Sequence, residues 1–146
     1  MKRGFAVFAV GCILLAEGPD PWDKSQLLPP ADLAARLSAK TPAKLLHVGF
    51  GALYRGRHIP GSEYAGPGSK PEGLEALRRA VAAVPKDAEI VIYCGCCPFD
   101  HCPNIRPAFK LLQDMGFTRV KVLAIPTNLA TDWTGKGYPV ETGPAR

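Results

Sequence analysis

The sequence lacks the features of several common protein classes. Its basic residues form no block of five or more, and no aromatic residues are interleaved with them, although the net charge is +5. Because nucleic-acid binding requires a basic surface with stacking side chains, this function is not indicated. The chain also has no internal repeat and no low-complexity tract. With 146 residues, 47% of them hydrophobic, it is predicted to form a single globular domain.

The chain also lacks an apolar run that could span a membrane, since its longest, residues 4–16, falls short of ~20 residues. This run follows Lys2 and Arg3 and precedes small residues, so residues 1–18 are predicted to be an export signal. The protein is then expected in the periplasm. An alternative is a lipoprotein processing box ending at Cys12, which predicts a lipid anchor that faces the periplasm. A buried amino-terminal helix is the remaining interpretation.

Cysteine is nearly absent outside one stretch, because four of the five cysteines lie within residues 94–102. The fifth is Cys12, inside the predicted signal. An exported protein has access to disulfide chemistry, and disulfide frameworks link segments that are distant in sequence. Four cysteines within nine positions cannot link the fold in this way. Their spacing therefore predicts local chemistry in one loop.

Short strands that alternate with amphipathic helices predict an α/β domain, with a central parallel sheet flanked by helices. Residues 89–93, EIVIY, are mostly apolar, as expected of a central strand that is covered on both faces. Residues 19–30 are predicted to be irregular, and residues 51–71 to be turns around a short extended segment, residues 62–65. Further strands are predicted at 45–49 and 119–125, and helices at 31–39, 71–84 and 105–116.

The predicted central strand ends at Cys94, and a loop rich in cysteine and proline separates it from a helix that is capped by Asn104. In open α/β sheets, ligands bind in the crevice beyond the carboxyl ends of the strands. A helix amino-terminus presents unpaired N–H groups and partial positive charge, which stabilise anions and thiolates. Arg106, in the first helical turn, adds a charge that suits an oxyanion. This combination predicts a reactive cysteine that faces an anionic substrate.

The order of these elements resembles the rhodanese family. The resemblance covers about residues 28–141, and it implies a single rhodanese-type domain between a linker, residues 19–27, and a tail, residues 142–146. It also implies sulfurtransferase activity. The matching stretches are residues 56–62 (GRHIPGS), Cys94 with Arg106 at the following helix start, residues 115–123 (MGFTRVKVL), and Trp133 with residues 137–140.

Three features depart from the family pattern. Cys94 and Arg106 are twelve positions apart, with three further cysteines between them, in place of the family's short loop. On the first predicted strand, His47 and Gly49 replace the aspartate and arginine that are usual in the family. The turn that matches GHIPGA has one extra arginine before His58. Both histidines are interpreted as structural.

The resemblance implies that a cysteine thiolate attacks the outer sulfur of a donor and carries this sulfur as a persulfide. Cys94 is the first candidate nucleophile, because a strand end aims its side chains reproducibly. Cys97 is the second, since it forms a Cys-x-x-Cys pair with Cys94, and Cys102 is the third, since it lies near the helix start.

The substrate is expected to be held by the loop backbone and by the following helix. Backbone N–H groups would stabilise the anionic sulfur, and Arg106 would hold a sulfonate-like leaving group. The candidate substrate-binding residues are Gly95, Cys96 and Asn104. The expected partners are a small sulfur-containing anion and a thiol acceptor, and no cofactor is predicted.

The cysteine-rich loop also permits other functions. Cys94, Cys96, Cys97 and Cys102 are soft ligands, and together with His101 they offer an alternative metal site. Cu(I), which needs only two or three thiolates, suits a single loop better than zinc does. A thiol redox module is a second alternative, although its helix would normally begin at the first cysteine. A non-catalytic interaction domain of rhodanese type is the third.

Overall fold

The computed structural model of the chain describes residues 18–41 and 43–144. The predicted lipidation site, Cys12, lies outside this part of the chain, as does the predicted export signal except for Gly18. Every helix among the described residues is too short or too polar to cross a bilayer.

A five-stranded parallel sheet forms the centre of the domain, which confirms the predicted α/β class. The strands lie in the order β1-β5-β4-β2-β3, so β4 is the central strand, as its apolar sequence predicts. Four of the five residues of β4 are buried. The strands are β1 (Leu27–Leu28), β2 (Lys44–His47), β3 (Glu63–Tyr64), β4 (Glu89–Tyr93) and β5 (Arg119–Leu123).

Among the described residues, three of the five α-helices, α1, α3 and α4, confirm predicted helices. Helix α3 ends before the predicted boundary, because residues 81–84 form turns ahead of Pro85. The helices are α1 (Pro30–Ser38), α2 (Gly51–Gly56), α3 (Pro71–Ala80), α4 (Ile105–Asp114) and α5 (Leu129–Asp132).

Two predictions of irregular structure were wrong. Helix α2 occupies the start of the segment that was predicted to be turns, and tertiary contacts stabilise it. Its Tyr54 is buried, and the Tyr54 hydroxyl donates a hydrogen bond of 2.6 Å to the carbonyl oxygen of Ser62. The segment 19–30 contains a 3₁₀ turn, Lys24–Gln26, and β1, which pairs with β5. Strand β1 depends on a partner strand that is far away in sequence.

The sheet separates two hydrophobic cores. Successive side chains of a strand point to opposite faces. Accordingly, Ile90 and Ile92 lie in one core, and Val91 and Tyr93 lie in the other. Helices α3 and α4 cover the first core, whereas α1 and the segment around Trp133 cover the second. Coverage of both faces explains why β4 has a mostly apolar sequence.

Strands β2 and β4 end side by side, and this arrangement positions the candidate site. His47 lies opposite Tyr93 in the register, and the N–H of Val48 donates to the carbonyl oxygen of Tyr93 at 2.8 Å. Cys94 therefore leaves the sheet beside the residues that follow His47. The chain then forms a loop with a 3₁₀ turn, Phe99–His101, and returns into α4.

Candidate functional site

The four cysteines of the loop lie together beyond the end of β4. We call Cys94, Cys96, Cys97 and Cys102 the cysteine cluster, and all four are free thiols. The sulfur of Cys96 is at its centre, 3.2 Å from the sulfur of Cys94, 3.1 Å from that of Cys97 and 3.7 Å from that of Cys102. Residues that are separated by up to eight positions in sequence therefore meet at one point.

Exposure divides the cluster into an outer and an inner part. Cys94 and Cys102 are buried, with 3% and 1% of their surface exposed, whereas Cys96 is exposed and Cys97 is half-buried. The hollow beside the two buried cysteines is lined mainly by apolar side chains and is too narrow to hold a water molecule. A solute therefore meets Cys96 before it meets either buried sulfur.

The turn that follows Cys94 depends on a glycine. Gly95 has a φ of +82°, a conformation that L side chains rarely adopt. A Cβ at this position would also lie 2.8 Å from the Cβ of Leu129. The carbonyl oxygen of Gly95 accepts a hydrogen bond of 3.0 Å from the N–H of Leu129, so the loop is attached to α5. The predicted site residue Gly95 thus shapes the loop through its backbone.

Cys102 is the cysteine whose surroundings favour the thiolate. The neighbouring Cys94 thiol and the N–H groups of Asn104 and Ile105 lower the pKa of Cys102. The same contact with Cys102, together with burial, raises the pKa of Cys94. Burial also raises the pKa of Cys97. The surroundings therefore favour a thiolate on Cys102, next to the start of α4, over a thiolate on Cys94.

Asn104 contacts the cluster but does not cap α4 through its side chain. It occupies the N-cap position, yet its side chain makes no capping hydrogen bond. The amide instead donates to the sulfur of Cys94 at 3.5 Å and accepts from the N–H of Ser69 at 3.0 Å. The residue is 1% exposed. Asn104 thus links the loop to the segment before α3, at the position where the sequence predicted a substrate-binding residue.

Arg106 has partners other than the cysteines. Its guanidinium forms an ion pair with Asp20, donates to the carbonyl oxygen of Asp100 at 3.0 Å and lies 5.3 Å from the ring centroid of Trp22. None of these contacts involves a sulfur atom. In this arrangement Arg106 attaches the segment before β1 to α4, and its role in holding a leaving group stays a prediction.

His47 and Gly49 border the cluster, although the sequence interpretation treated His47 as structural. A Cβ at position 49 would lie 2.6 Å from the sulfur of Cys94 and 2.9 Å from Cε1 of His47. His47 is fully buried, and its Nε2 has no hydrogen-bond partner. Burial lowers the pKa of His47 to about 4, so the ring is neutral at pH 7. The departure from the family pattern at these two positions was the signal that could have identified them.

A metal ion would find three of the predicted ligands in place. The sulfurs of Cys94, Cys96 and Cys102 all lie within 4.8 Å of one another, and this is the only such group of ligand atoms among the described residues. His101, the other predicted ligand, lies outside this group. Its side chain is exposed, and its Nδ1 is 2.9 Å from the carboxylate of Asp100. The arrangement therefore offers three thiols and no histidine.

The fold has clear structural relatives, although no protein-family model matches the sequence and no curated protein matches it significantly. The rhodanese-like domain of an Anabaena sp. protein is 25% identical with a TM-score of 0.59, and the match covers 80% of this chain and 79% of that one. The BH2092 protein of Bacillus halodurans is 24% identical with a TM-score of 0.64, over 81% and 77% of the two chains. A thiosulfate sulfurtransferase of Pseudomonas aeruginosa is 25% identical with a TM-score of 0.60, over 82% of this chain but only 21% of that one.

Proposed function

We propose that this chain, whose fold matches rhodanese-like domains as its sequence predicted, carries sulfane sulfur as a cysteine persulfide. One structural neighbour is named a thiosulfate sulfurtransferase, and the cysteine cluster lies at the carboxyl end of the central strand. In α/β folds this edge of the sheet is where ligands bind. Thiosulfate is the first donor to test, and a thiol is the expected acceptor.

The proximity of three sulfur atoms to stabilising donors is the observation that carries this proposal. A persulfide is an anion, and the start of α4 already stabilises negative charge on Cys102 through the N–H groups of Asn104 and Ile105. The amide of Asn104 donates to the neighbouring sulfur of Cys94. In the reaction, a thiolate attacks the outer sulfur of thiosulfate, the sulfur–sulfur bond of the donor breaks, and sulfite leaves with the electron pair.

Intact mass spectrometry tests the proposal directly. Reduced protein is mixed with one equivalent of thiosulfate and quenched rapidly with acid. One sulfite should be released for each sulfur atom that is transferred, and the quenched protein should gain the mass of one sulfur atom. A variant with serine at Cys94, Cys96 and Cys102 should show no increase. D100N is the matched control, because it changes an exposed side chain of the same loop and leaves every thiol in place. The proposal fails if the triple variant gains sulfur as the unchanged protein does.

The same three sulfurs also favour a second candidate function, the binding of a soft metal ion. Three thiolates that bind one ion at about 2.3 Å are separated by about 4 Å from each other. The sulfur of Cys96 lies 3.2 and 3.7 Å from the two buried sulfurs, so a small outward shift would complete such a site. Cu(I) suits two or three thiolates from one loop. Competition with a Cu(I) chelator should then give one bound ion per chain, and the triple serine variant should bind none.

A further inference from the structure

We infer that the cysteine cluster is its own sulfur acceptor: the sulfur enters on Cys96 and leaves as hydrosulfide when Cys102 forms a disulfide with Cys96. This inference rests on the proposed persulfide function and specifies its entry point, its product and its stoichiometry. Each thiol that could carry the persulfide has another thiol within 4 Å, and this is the unusual feature that needs an explanation.

Exposure identifies Cys96 as the entry point. It is the only exposed cysteine among the described residues, whereas Cys94 and Cys102 are buried. The hollow beside the buried sulfurs cannot hold a water molecule, and thiosulfate is larger than water. The donor therefore reaches the sulfur of Cys96 without any rearrangement of the loop. Attack at either buried cysteine would first require the loop to open.

The position of Cys102 suits the second step. A thiolate that attacks a persulfide at its inner sulfur displaces the outer sulfur in the opposite direction. The sulfur of Cys102 lies 3.7 Å from that of Cys96 and on its buried side, so the outer sulfur would leave toward solvent. Formation of a bond of about 2.05 Å requires the two sulfurs to approach by roughly 1.7 Å. Five intervening residues give the loop the freedom for this movement.

The neighbouring cysteines are less suited to this role. Cys97 is adjacent to Cys96 in sequence, and only one residue separates Cys94 from Cys96, so either disulfide would close a very small ring. Five residues separate Cys102 from Cys96, so a disulfide between these two closes a larger ring. Cys94, whose thiol donates a hydrogen bond, lies beside this pair of sulfurs.

The two steps balance in atoms and electrons. In the first, the proton of Cys96 passes to Cys102, the Cys96 thiolate bonds to the outer sulfur of thiosulfate, and sulfite leaves. In the second, Cys102 returns the proton to the outer sulfur, its thiolate bonds to the sulfur of Cys96, and hydrosulfide leaves. Two thiols are oxidised to one disulfide, and the sulfane sulfur is reduced to sulfide. Repeated turnover requires an external dithiol, such as a reducing protein of the thioredoxin class, to reopen the disulfide.

A single-turnover experiment tests the inference. Reduced protein is mixed with a substoichiometric amount of thiosulfate and no added thiol, and sulfide and free thiols are measured. We expect one sulfide released and two thiols lost for each thiosulfate consumed, with the disulfide mapped to Cys96 and Cys102. C102S should instead retain the mass of one extra sulfur on Cys96 and release no sulfide. D100N, the matched loop control, should behave like the unchanged protein.

The possible results separate the inference from the proposed function. If the unchanged protein gains one sulfur and keeps it, with no sulfide and no disulfide, the inference is overturned and the persulfide function stands. If C97S blocks sulfide release and C102S does not, the assignment of Cys102 is overturned. If neither the unchanged protein nor C102S gains sulfur, the proposed function itself fails. Disulfide mapping on the unchanged protein keeps the test valid even if C102S does not fold.

Discussion

Two neighbouring regions of the domain use buried polar groups in opposite ways. In the turn region, residues 54–62, buried polar atoms are paired. The hydroxyl of Tyr93 accepts from the N–H of Ile59 at 3.0 Å and contacts the hydroxyl of Ser62 at 2.8 Å. His58 stacks on Tyr54 with a centroid distance of 3.9 Å and an interplanar angle of 4°. These contacts account for the structural role that the sequence predicted for the turn histidine.

The side chains of the cysteine loop, residues 94–104, are held by weaker contacts. Its side chains meet through sulfur at 3.1 to 3.7 Å, and sulfur is a weak hydrogen-bonding atom. Nε2 of His47 and Nε of Arg106 border the loop, and both are buried without a hydrogen-bond partner. The comparison indicates that one region stabilises the fold, while the other keeps thiols close together without locking them in place.

The largest effect that would sharpen this contrast is the pH dependence of stability due to His47. Because the pKa of His47 falls from 6.5 unfolded to about 4 folded, the unfolded chain binds more protons between these values. The contribution of His47 to the free energy of unfolding is therefore fully present above pH 6.5, and it decreases as the pH falls toward 4. The loss is at most about 3 kcal/mol. Urea unfolding at pH 7 and pH 4 should show that the unchanged protein loses more free energy of unfolding than H47F does. Equal losses in the two proteins would contradict the prediction.

The next effect concerns the tight contact between the loop and the end of β2. In G49A, the added methyl group would meet the sulfur of Cys94 at 2.6 Å and the ring of His47 at 2.9 Å. Overpacking of this kind should lower the free energy of unfolding by about 2 kcal/mol. G56A is the matched control, because nothing lies within 4 Å of that position. Equal stability of the two variants would show that the loop moves away at no cost.

A smaller loss of stability is expected in the turn region. Y93F removes the hydroxyl that accepts from the N–H of Ile59 and contacts Ser62, so a buried donor is left unpaired. The expected cost is about 1.5 kcal/mol. Sulfur loading should keep its stoichiometry, since this hydroxyl serves the turn. Thermal unfolding and intact mass together check both statements, and a loss of loading at full stability would break the contrast between the two regions.

The smallest effect distinguishes two roles of Arg106. If its guanidinium only attaches the segment before β1, R106Q and D20N should each cost no more than about 1 kcal/mol. The double variant should then cost little more than either single one. A rise in the thiosulfate concentration needed for half-maximal loading of R106Q, but not of D20N, would restore the role that the sequence predicted.

The sequence was sufficient to predict the sheet and the position of the cysteine loop, because both depend on local patterns. EIVIY indicates a central strand without any knowledge of its neighbours, and a strand-end Cys94 follows from it. Helix α2 was missed, since a six-residue helix between glycines depends on the burial of Tyr54. The sequence could not predict that Cys96 is exposed while Cys94 and Cys102 are buried, because this depends on how the loop folds back onto α4 and β2.

The attachment of the loop to its surroundings has a practical consequence. The chain has two tryptophans. The ring centroid of Trp22 lies 6.0 Å from that of Phe99, which belongs to the loop. The backbone N–H of Trp133 donates to the carbonyl oxygen of Leu129, and the backbone N–H of Leu129 donates to the carbonyl oxygen of Gly95. Each tryptophan is therefore connected to the loop directly or through one intermediate residue. We therefore expect the intrinsic fluorescence of the chain to change when its thiols are oxidised, which would provide a label-free optical signal.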